Sequence, residues 1–172
     1  MAFHDDLLNQ ASYLATCDKG KPKQASLRRS VSAAYYAIFH LLITEAAALA
    51  GSKLNTEGRI RLRRAYAHAD MKAVCASYAS ATTALKFNQQ IAPLLSFPIA
   101  TELMNVADTF VSLQEARHLA DYDLQSKFSR LSVLTQIGDV TNSFADWVVV
   151  RTSPNAKVFL MDLLVRKSWS RQ

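Results

Sequence analysis

The chain has 172 residues, of which half are hydrophobic and a fifth are charged, with only four glycines and four prolines. This length suffices for one well-buried core and is short for two domains, so we expect a single domain over residues 1–172. The formal net charge of +6 favours acidic partners such as nucleic acid. Two cysteines, Cys17 and Cys75, exclude a disulfide framework and indicate small core residues in a reducing compartment.

The first two predicted helices occupy the first fifty residues. Apolar spacing predicts a helix over about Asp5 to Cys17, which the following Lys-Gly-Lys-Pro segment ends because proline cannot continue a helix. A longer helix is predicted from about Ser26 to Ala50. Its core stripe consists of residues at steps of three, four or seven: Val31, Tyr35, Ile38, Leu42 and Leu49.

This long helix has enough residues to cross a bilayer. It carries Ser32, His40 and Glu45, however, and much of its bulk is alanine. Ionisable groups at the middle of a membrane are costly, and alanine adds little driving force for insertion. We therefore expect a buried helix of a bundle rather than a membrane span. Because no apolar leader is visible in the first ten residues, we also expect a cytoplasmic protein.

A second face of the same helix carries Arg29, Ser32, Tyr36 and His40. These polar and aromatic residues recur at helical spacing and therefore predict the lining of a groove. His40 by itself is more typical of a histidine satisfied in a core or groove than of a catalyst.

The third predicted helix runs from Glu57 to about His68 or beyond and is markedly basic. Arg61, Arg64 and His68 share one face of it. Such a face is able to follow an RNA backbone, with binding that depends strongly on salt. The alternative is an ordinary solvated helix surface.

The basic helix is predicted to continue after a kink over 71–78. The remaining sequence predicts helices over about 99–120, 129–150 and 155–166, with a loop and a short turn over 82–97. The core residues predicted for 99–120 are Leu103, Val106, Phe110 and Leu113. Those predicted for 129–150 are Leu131, Leu134, Ile137, Val140, Phe144 and Val148. The result is an all-α bundle of five to six helices, with a core over about 5–150 and a C-terminal helix at about 154–167.

Strong motifs for phosphate-binding loops, zinc helices, paired cysteines and nucleophile elbows are absent from the sequence, so no cofactor or metal is expected. The main candidate for chemistry lies at the end of the 99–120 helix. Arg117 and Asp121 lie one turn apart there, as do His118 and Tyr122. An arginine fixed by a carboxylate is oriented to hold a phosphate, and His118 or Tyr122 is able to move a proton. The alternative is a surface ion pair worth a few tenths of a kcal/mol, roughly 0.3–0.5.

Two segments carry a resemblance to a known family. The run from Ser26 to His40, which reads SLRRSVSAAYYAIFH, resembles the long helix of HEPN-domain proteins (higher eukaryotes and prokaryotes nucleotide-binding). The later Arg117-x-x-Ala120-Asp121-Tyr122 resembles the Arg-x-x-Ala-Asp-Tyr element of one bacterial branch of that family. Both segments occur in the expected order, and together they span residues 5–150.

The resemblance implies an up-and-down bundle that dimerises, with the arginine motifs of two subunits facing each other across a cleft. Many members are metal-independent endoribonucleases of toxin–antitoxin, phage-defence or CRISPR-linked systems, whose motif is an arginine, a polar neighbour and a histidine four to six residues later. Arg117 matches the arginine and His118 the polar neighbour. Asp121 and Tyr122 stand where the histidine is expected.

The resemblance thus implies an RNA-binding homodimer and a candidate metal-independent endoribonuclease. Its catalytic residues would be Arg117, His118, Asp121 and Tyr122. The RNA-binding or nucleotide-binding residues would be Arg29, Tyr36 and His40, to which the basic helix adds Arg61, Arg64 and His68. The alternative is a non-catalytic HEPN-like module that binds a nucleotide or a partner protein, such as a nucleotidyltransferase antitoxin that modifies Tyr122. A third interpretation is a bundle in which the Arg117–Asp121 pair has only the structural role of joining helices.

Overall fold

The computed structural model describes residues 2–49, 55–64, 68–81, 83–87 and 89–169. This part of the chain forms seven α-helices and no strand, which confirms the predicted all-α bundle. The helices are α1 (Phe3–Thr16), α2 (Gln24–Leu49), α3 (Thr56–Arg64), α4 (His68–Ala79), α5 (Thr101–Tyr122), α6 (Arg130–Val150) and α7 (Pro154–Trp169). Two short 3₁₀ turns, Ala84–Lys86 and Ala92–Leu94, lie in the segment predicted as a loop.

The number of helices differs from the predicted five to six because the basic region forms two helices. The predicted helix reaches about His68, whereas α3 ends at Arg64 and α4 begins at His68. Residues 65–67 lie outside the described residues, as does Ala50, the predicted last residue of the long helix.

The chain divides into two compact units. The first unit comprises Met1–Leu41 and Thr109–Ala145, and the second comprises Leu42–Asp108 and Asp146–Gln172. Helices α2, α5 and α6 each contribute residues to both units.

The core of the first unit is built around the N-terminal half of α2. Val31, Tyr35 and Ile38 are fully buried, as the spacing of apolar residues predicts. The Tyr35 ring packs on Phe110 of α5, with ring centroids 5.6 Å apart. Helix α1 is joined to α2 by the buried Ser30 hydroxyl, which donates a 2.7 Å hydrogen bond to the carbonyl of Ala11.

An arginine of α6 satisfies the C-terminal end of α1. The last carbonyls of a helix have no partner within the helix. Arg130 donates from Nη2 to the carbonyls of Asp18 at 2.7 Å and Gly20 at 3.1 Å, and from Nε to Ala15 at 3.2 Å. The positive guanidinium also interacts favourably with the negative end of the helix dipole.

The core of the second unit includes an aromatic cluster between α4 and α7. The Tyr78 ring lies edge-on to Phe87 and Phe159, with centroids 4.7 and 4.8 Å away. Near the start of α7, the side-chain amide of Asn155 accepts from the Ser96 backbone N–H and donates to its carbonyl. These bonds fix the segment that precedes α5 against α7.

Four of the predicted core positions are exposed. Leu131, Leu134 and Val148 of α6 are 77%, 38% and 67% exposed, and Leu49 at the end of α2 is 45% exposed. The buried row of α6 instead runs through Val133 and Trp147, together with Ile137 and Val140 as predicted. Apolar residues surround α6 on several sides, so spacing alone does not identify its buried face.

Among the described residues, α2 is the one helix long and apolar enough to cross a membrane. Of its most apolar 18-residue window, 72% is buried within the protein, as in a core helix. This burial agrees with the predicted role of α2 in a bundle. The cytoplasmic location stays a prediction.

The two cysteines occupy different environments. Cys75 is buried in α4, where burial and the nearby Asp162 raise the pKa of its thiol. Cys17, which was predicted to lie in the core, is exposed directly after the last residue of α1. Its position at a helix end leaves its side chain outside the row of Ala11 and Ala15 that α1 buries.

Candidate functional site

A cavity of about 490 Å³ lies between α2 and the end of α5 in the first unit. We call it the Arg117 crevice. It is lined by Ala25, Arg28, Arg29, Ser32, Tyr36, Arg117, Ala120, Asp121, Tyr122 and Leu124. The residues from α2 share one face because they recur at steps of three and four, as do the residues from the last turns of α5.

Arg117 and Asp121 form an ion pair along α5. The Nε atom of Arg117 lies 2.7 Å from Oδ2 of Asp121, and only 20% and 22% of the two side chains are exposed. The other carboxylate oxygen, Oδ1, accepts a 2.7 Å hydrogen bond from the hydroxyl of Ser32 on α2. Asp121 is therefore held from both helices, and it fixes the guanidinium in turn.

Two tyrosine rings complete the surroundings of Arg117. Its guanidinium carbon lies 5.6 Å from the ring centroid of Tyr35 and 5.4 Å from that of Tyr36. Such cation–π contacts are worth about 0.5–2 kcal/mol, depending on desolvation. Partial burial acts to lower the pKa of Arg117, but electrostatic interactions with Tyr36, Asp121 and Tyr122, and the Asp121 hydrogen bond, raise it overall. The guanidinium is therefore a permanent positive charge in the crevice.

The terminal nitrogens of Arg117 distinguish it from its neighbour Arg28. In the part of the chain that the structure describes, neither Nη1 nor Nη2 of Arg117 makes a hydrogen bond to protein. These two nitrogens carry the paired donors that match a phosphate or carboxylate. Arg117 is therefore oriented by its Nε side and retains donors for an anion.

Arg28 has a different role, because both of its terminal nitrogens are used by backbone carbonyls. Nη1 donates to Leu119 and Ala120 at 3.3 and 2.8 Å, and Nη2 donates to Asp123 and Ser126 at 2.8 and 2.7 Å. These carbonyls belong to the last turn of α5 and the segment that follows it. Arg28 thus holds in place the end of the helix that carries Arg117.

The segment after α5 has two further restraints. The side-chain amide of Gln24 on α2 accepts from the N–H of Phe128 at 2.9 Å and donates to its carbonyl at 2.7 Å. The Asp123 carboxylate accepts hydrogen bonds from the Ser126 hydroxyl and the Gln125 N–H, and these bonds lower the pKa of Asp123. The wall of the crevice that contains Leu124 is therefore fixed on both sides.

Tyr122 and His118, which were also predicted to be catalytic, differ in whether they line the crevice. Tyr122 lines the crevice and is 67% exposed. His118 is exposed but does not belong to the crevice lining, and its ring lies 5.1 Å from that of Tyr122. Neighbouring helix positions point about 100° apart, and in this turn of α5 the lining includes Arg117 and Ala120–Tyr122 but not His118.

Only some of the residues predicted to bind RNA line the crevice. Arg29, which is exposed, and Tyr36 line the crevice. His40 lies one turn beyond Tyr36, and its ring packs edge-on against Phe3 of α1 with centroids 4.8 Å apart. His40 does not belong to the lining, which agrees with a histidine satisfied by packing.

The predicted basic face, formed by Arg61, Arg64 and His68, falls on α3 and α4 rather than on the helices of the crevice. Arg61 lies on α3 in the second unit, where it is exposed and pairs with Glu57 at 2.7 Å. The side chains of Arg64 and His68 lie outside the described residues. Arg61 therefore fits the alternative of a solvated helix surface with an i,i+4 ion pair.

The crevice combines three guanidinium groups, of which that of Arg28 is used by backbone carbonyls, with two phenols and one engaged carboxylate. No histidine belongs to its lining, and the described residues contain no group of three side chains suited to hold a metal ion. The arrangement is suited to binding an anion at Arg117 and Arg29, beside aromatic surfaces. Of the lining side chains, the Tyr122 hydroxyl is the exposed group able to donate a proton.

Sequence reasoning missed Arg28 as a residue of this site. Its position four residues before Ser32 places both on one face, and this spacing was the available signal. The capping role itself depends on the approach of α5, which no local pattern indicates.

No family model, curated protein or solved structure matches the chain. The resemblance to HEPN-domain proteins therefore stays a prediction from two segments. The inference of function therefore depends on the geometry of the Arg117 crevice.

Proposed function

We propose that the first unit is a HEPN-like RNA-binding module in which the Arg117 crevice holds a phosphate of the RNA backbone. The observation that supports this proposal is the restraint on Arg117, whose guanidinium is fixed by Asp121 and two tyrosine rings. A preoriented guanidinium loses little conformational entropy when it binds an anion. Each charge-assisted hydrogen bond to the phosphate would contribute about 1.5–3 kcal/mol.

A purely structural Arg117–Asp121 pair explains less of the geometry. Both residues lie on α5, so their ion pair does not join two helices. Asp121 and Arg117 each contact α2 separately, Asp121 through the Ser32 hydroxyl and Arg117 through the Tyr35 and Tyr36 rings. A structural role leaves unexplained why Arg117, whose terminal nitrogens make no hydrogen bond to the described residues, lines a cavity of about 490 Å³.

RNA is favoured over a small inorganic anion by the remaining lining. Arg29 supplies a second cation, and Tyr36 and Tyr122 supply aromatic rings beside it. Single-stranded RNA is bound by this combination of positive charge along its backbone and aromatic side chains under its bases.

Cleavage of the bound RNA is a second proposal, which the position of Tyr122 favours. The RNA 2′-hydroxyl would lose its proton to solvent and attack the adjacent phosphorus, forming a 2′,3′-cyclic phosphate, while the bond to the 5′-oxygen breaks. Arg117 would hold the phosphate, and the Tyr122 hydroxyl would protonate the departing 5′-oxygen and then regain a proton from solvent. His118 takes no part in the proposed cleavage step, because it does not line the crevice.

The proposal is tested by titrating a fluorescein-labelled single-stranded RNA with the protein in EDTA and following fluorescence anisotropy. We expect saturable binding that weakens as salt increases over roughly 50–200 mM. If Arg29 and Arg117 neutralise two phosphates, the slope of log K against log salt will be about −1.4. An absence of saturable binding at the lowest salt would contradict the proposal.

The same mixtures separate binding from cleavage. After incubation, the RNA is resolved on a denaturing gel and its ends are identified by mass spectrometry. Fragments ending in a 2′,3′-cyclic phosphate would support catalysis. Intact RNA in a mixture that shows binding would contradict the cleavage proposal and leave the phosphate site.

A further inference from the structure

A second cavity, of about 390 Å³, lies between α1 and α2 of the first unit, and the proposed function does not use it. We call it the α1–α2 cavity. Its lining from α1 consists of Leu7, Gln10 and Leu14. Its lining from α2 adds Ala33 to three residues that it shares with the Arg117 crevice: Arg29, Ser32 and Tyr36.

The shared residues make α2 the wall between the two cavities. Arg29, Ser32 and Tyr36 occur at steps of three and four and therefore lie on one face of the helix. Ser32 is buried, whereas Arg29 is exposed and belongs to both linings. The two cavities are therefore neighbours along α2, with Arg29 as the exposed side chain common to both.

The Tyr36 ring connects the two cavities chemically. The guanidinium of Arg117 lies over this ring, 5.4 Å from its centroid, and the same ring lines the α1–α2 cavity. An aromatic surface beside a phosphate site is the usual platform for a nucleobase in single-stranded RNA.

The rest of the α1–α2 lining suits a flat, uncharged group. Leu7, Leu14 and Ala33 provide apolar walls, and no acidic side chain belongs to the lining. Gln10 is exposed and is the one uncharged amide there, with both donor and acceptor atoms. Apolar walls with few polar groups, and a volume above roughly 300 Å³, are typical of small-molecule sites.

We propose that the α1–α2 cavity is a nucleobase subsite of the RNA-binding site. The base next to the phosphate held by Arg117 packs against Tyr36 between the two helices, and the side-chain amide of Gln10 bonds its polar edge. This assignment rests on the proposed function. It adds that the protein distinguishes bases from a bare sugar–phosphate chain, and that Gln10 sets which base is preferred.

The test compares short RNA homopolymers of A, C and U with an abasic sugar–phosphate oligomer of the same length, at one fixed salt concentration. We expect the preferred homopolymer to bind wild type about 5- to 150-fold more tightly than the abasic oligomer, the range that stacking of one base gives. Gln10→Ala should reduce the ratio between the best and worst homopolymers and leave the abasic affinity unchanged. Gln90→Ala, which removes an exposed amide of the second unit, should change neither.

The outcomes separate the subsite from the phosphate site. Equal binding of homopolymers and abasic oligomer would overturn the subsite but keep the phosphate site, and it would indicate that another apolar group occupies the cavity. Homopolymer preference that Gln10→Ala does not alter would also overturn the placement of the base. Failure of every probe to bind would instead contradict the proposed function itself.

Discussion

Replacement of Arg117 by alanine is expected to weaken RNA binding by roughly 10- to 150-fold, the loss of one charge-assisted contact with a phosphate. The variant should remain folded. It loses the contacts with the Tyr35 and Tyr36 rings and the ion pair with Asp121. These losses should lower the free energy of unfolding by about 1–2 kcal/mol, since the side chain is partly exposed. Fluorescence anisotropy gives the affinity, and thermal unfolding gives the stability.

Two controls distinguish a specific phosphate contact from a loss of net charge. Arg117→Lys keeps the charge but lacks the paired planar donors, so its affinity should lie between those of wild type and Arg117→Ala. Arg151→Ala removes the same charge from the second unit, where Arg151 is half-exposed and pairs with Glu45 at 3.2 Å. Equal losses of affinity in Arg117→Ala and Arg151→Ala would mean that only overall charge matters.

Arg28→Ala is expected to cause a large loss of stability, about 2–4 kcal/mol in the free energy of unfolding. The substitution removes four hydrogen bonds to carbonyls at the end of α5 and in the segment after it. These carbonyls lie at a helix C-terminus, where no other backbone donor is in position to replace the guanidinium. In a chain of this size, the midpoint of thermal unfolding should fall by roughly 5–15 °C.

Arg29→Ala is the matched control for this stability measurement. Arg29 is adjacent on α2 and is exposed, and no hydrogen bond joins its side chain to the described residues. We expect its unfolding free energy to change by less than about 0.5 kcal/mol. Similar midpoints for Arg28→Ala and Arg29→Ala would show that the carbonyl contacts of Arg28 contribute little.

Much of the fold follows from local patterns. Few breakers and regular apolar spacing predict α1, α2, α5, α6 and α7 to within a few residues of their observed ends. The four core residues predicted for α5 are buried as expected, although Leu119 of the same helix is exposed. The buried face of α6 was not predicted correctly, since Leu131 and Val148 offer a second apolar row that the fold leaves exposed.

Only part of the candidate site could be predicted from the spacing of residues along one helix. Spacing along one helix predicts that Arg117 and Asp121 pair and that Arg29 and Tyr36 share a face. His118 falls outside the lining although the adjacent residues Asp121 and Tyr122 both belong to it, so spacing along one helix does not decide which neighbours line the crevice. The roles of Arg28 and Gln10 depend on the approach of α5 and α1 to α2. Contacts between distant segments leave no periodic signal in the sequence.

The central claim is that RNA phosphate binds to the guanidinium of Arg117. The most direct measurement is an NMR titration of protein labelled with ¹⁵N-arginine, in which the Nε–H resonance of Arg117 is assigned from its absence in Arg117→Lys. We expect this resonance to shift saturably as single-stranded RNA is added, while that of Arg151 stays in place. Saturable RNA binding with an unmoved Arg117 resonance, and shifts confined to arginines outside the crevice, would contradict the claim.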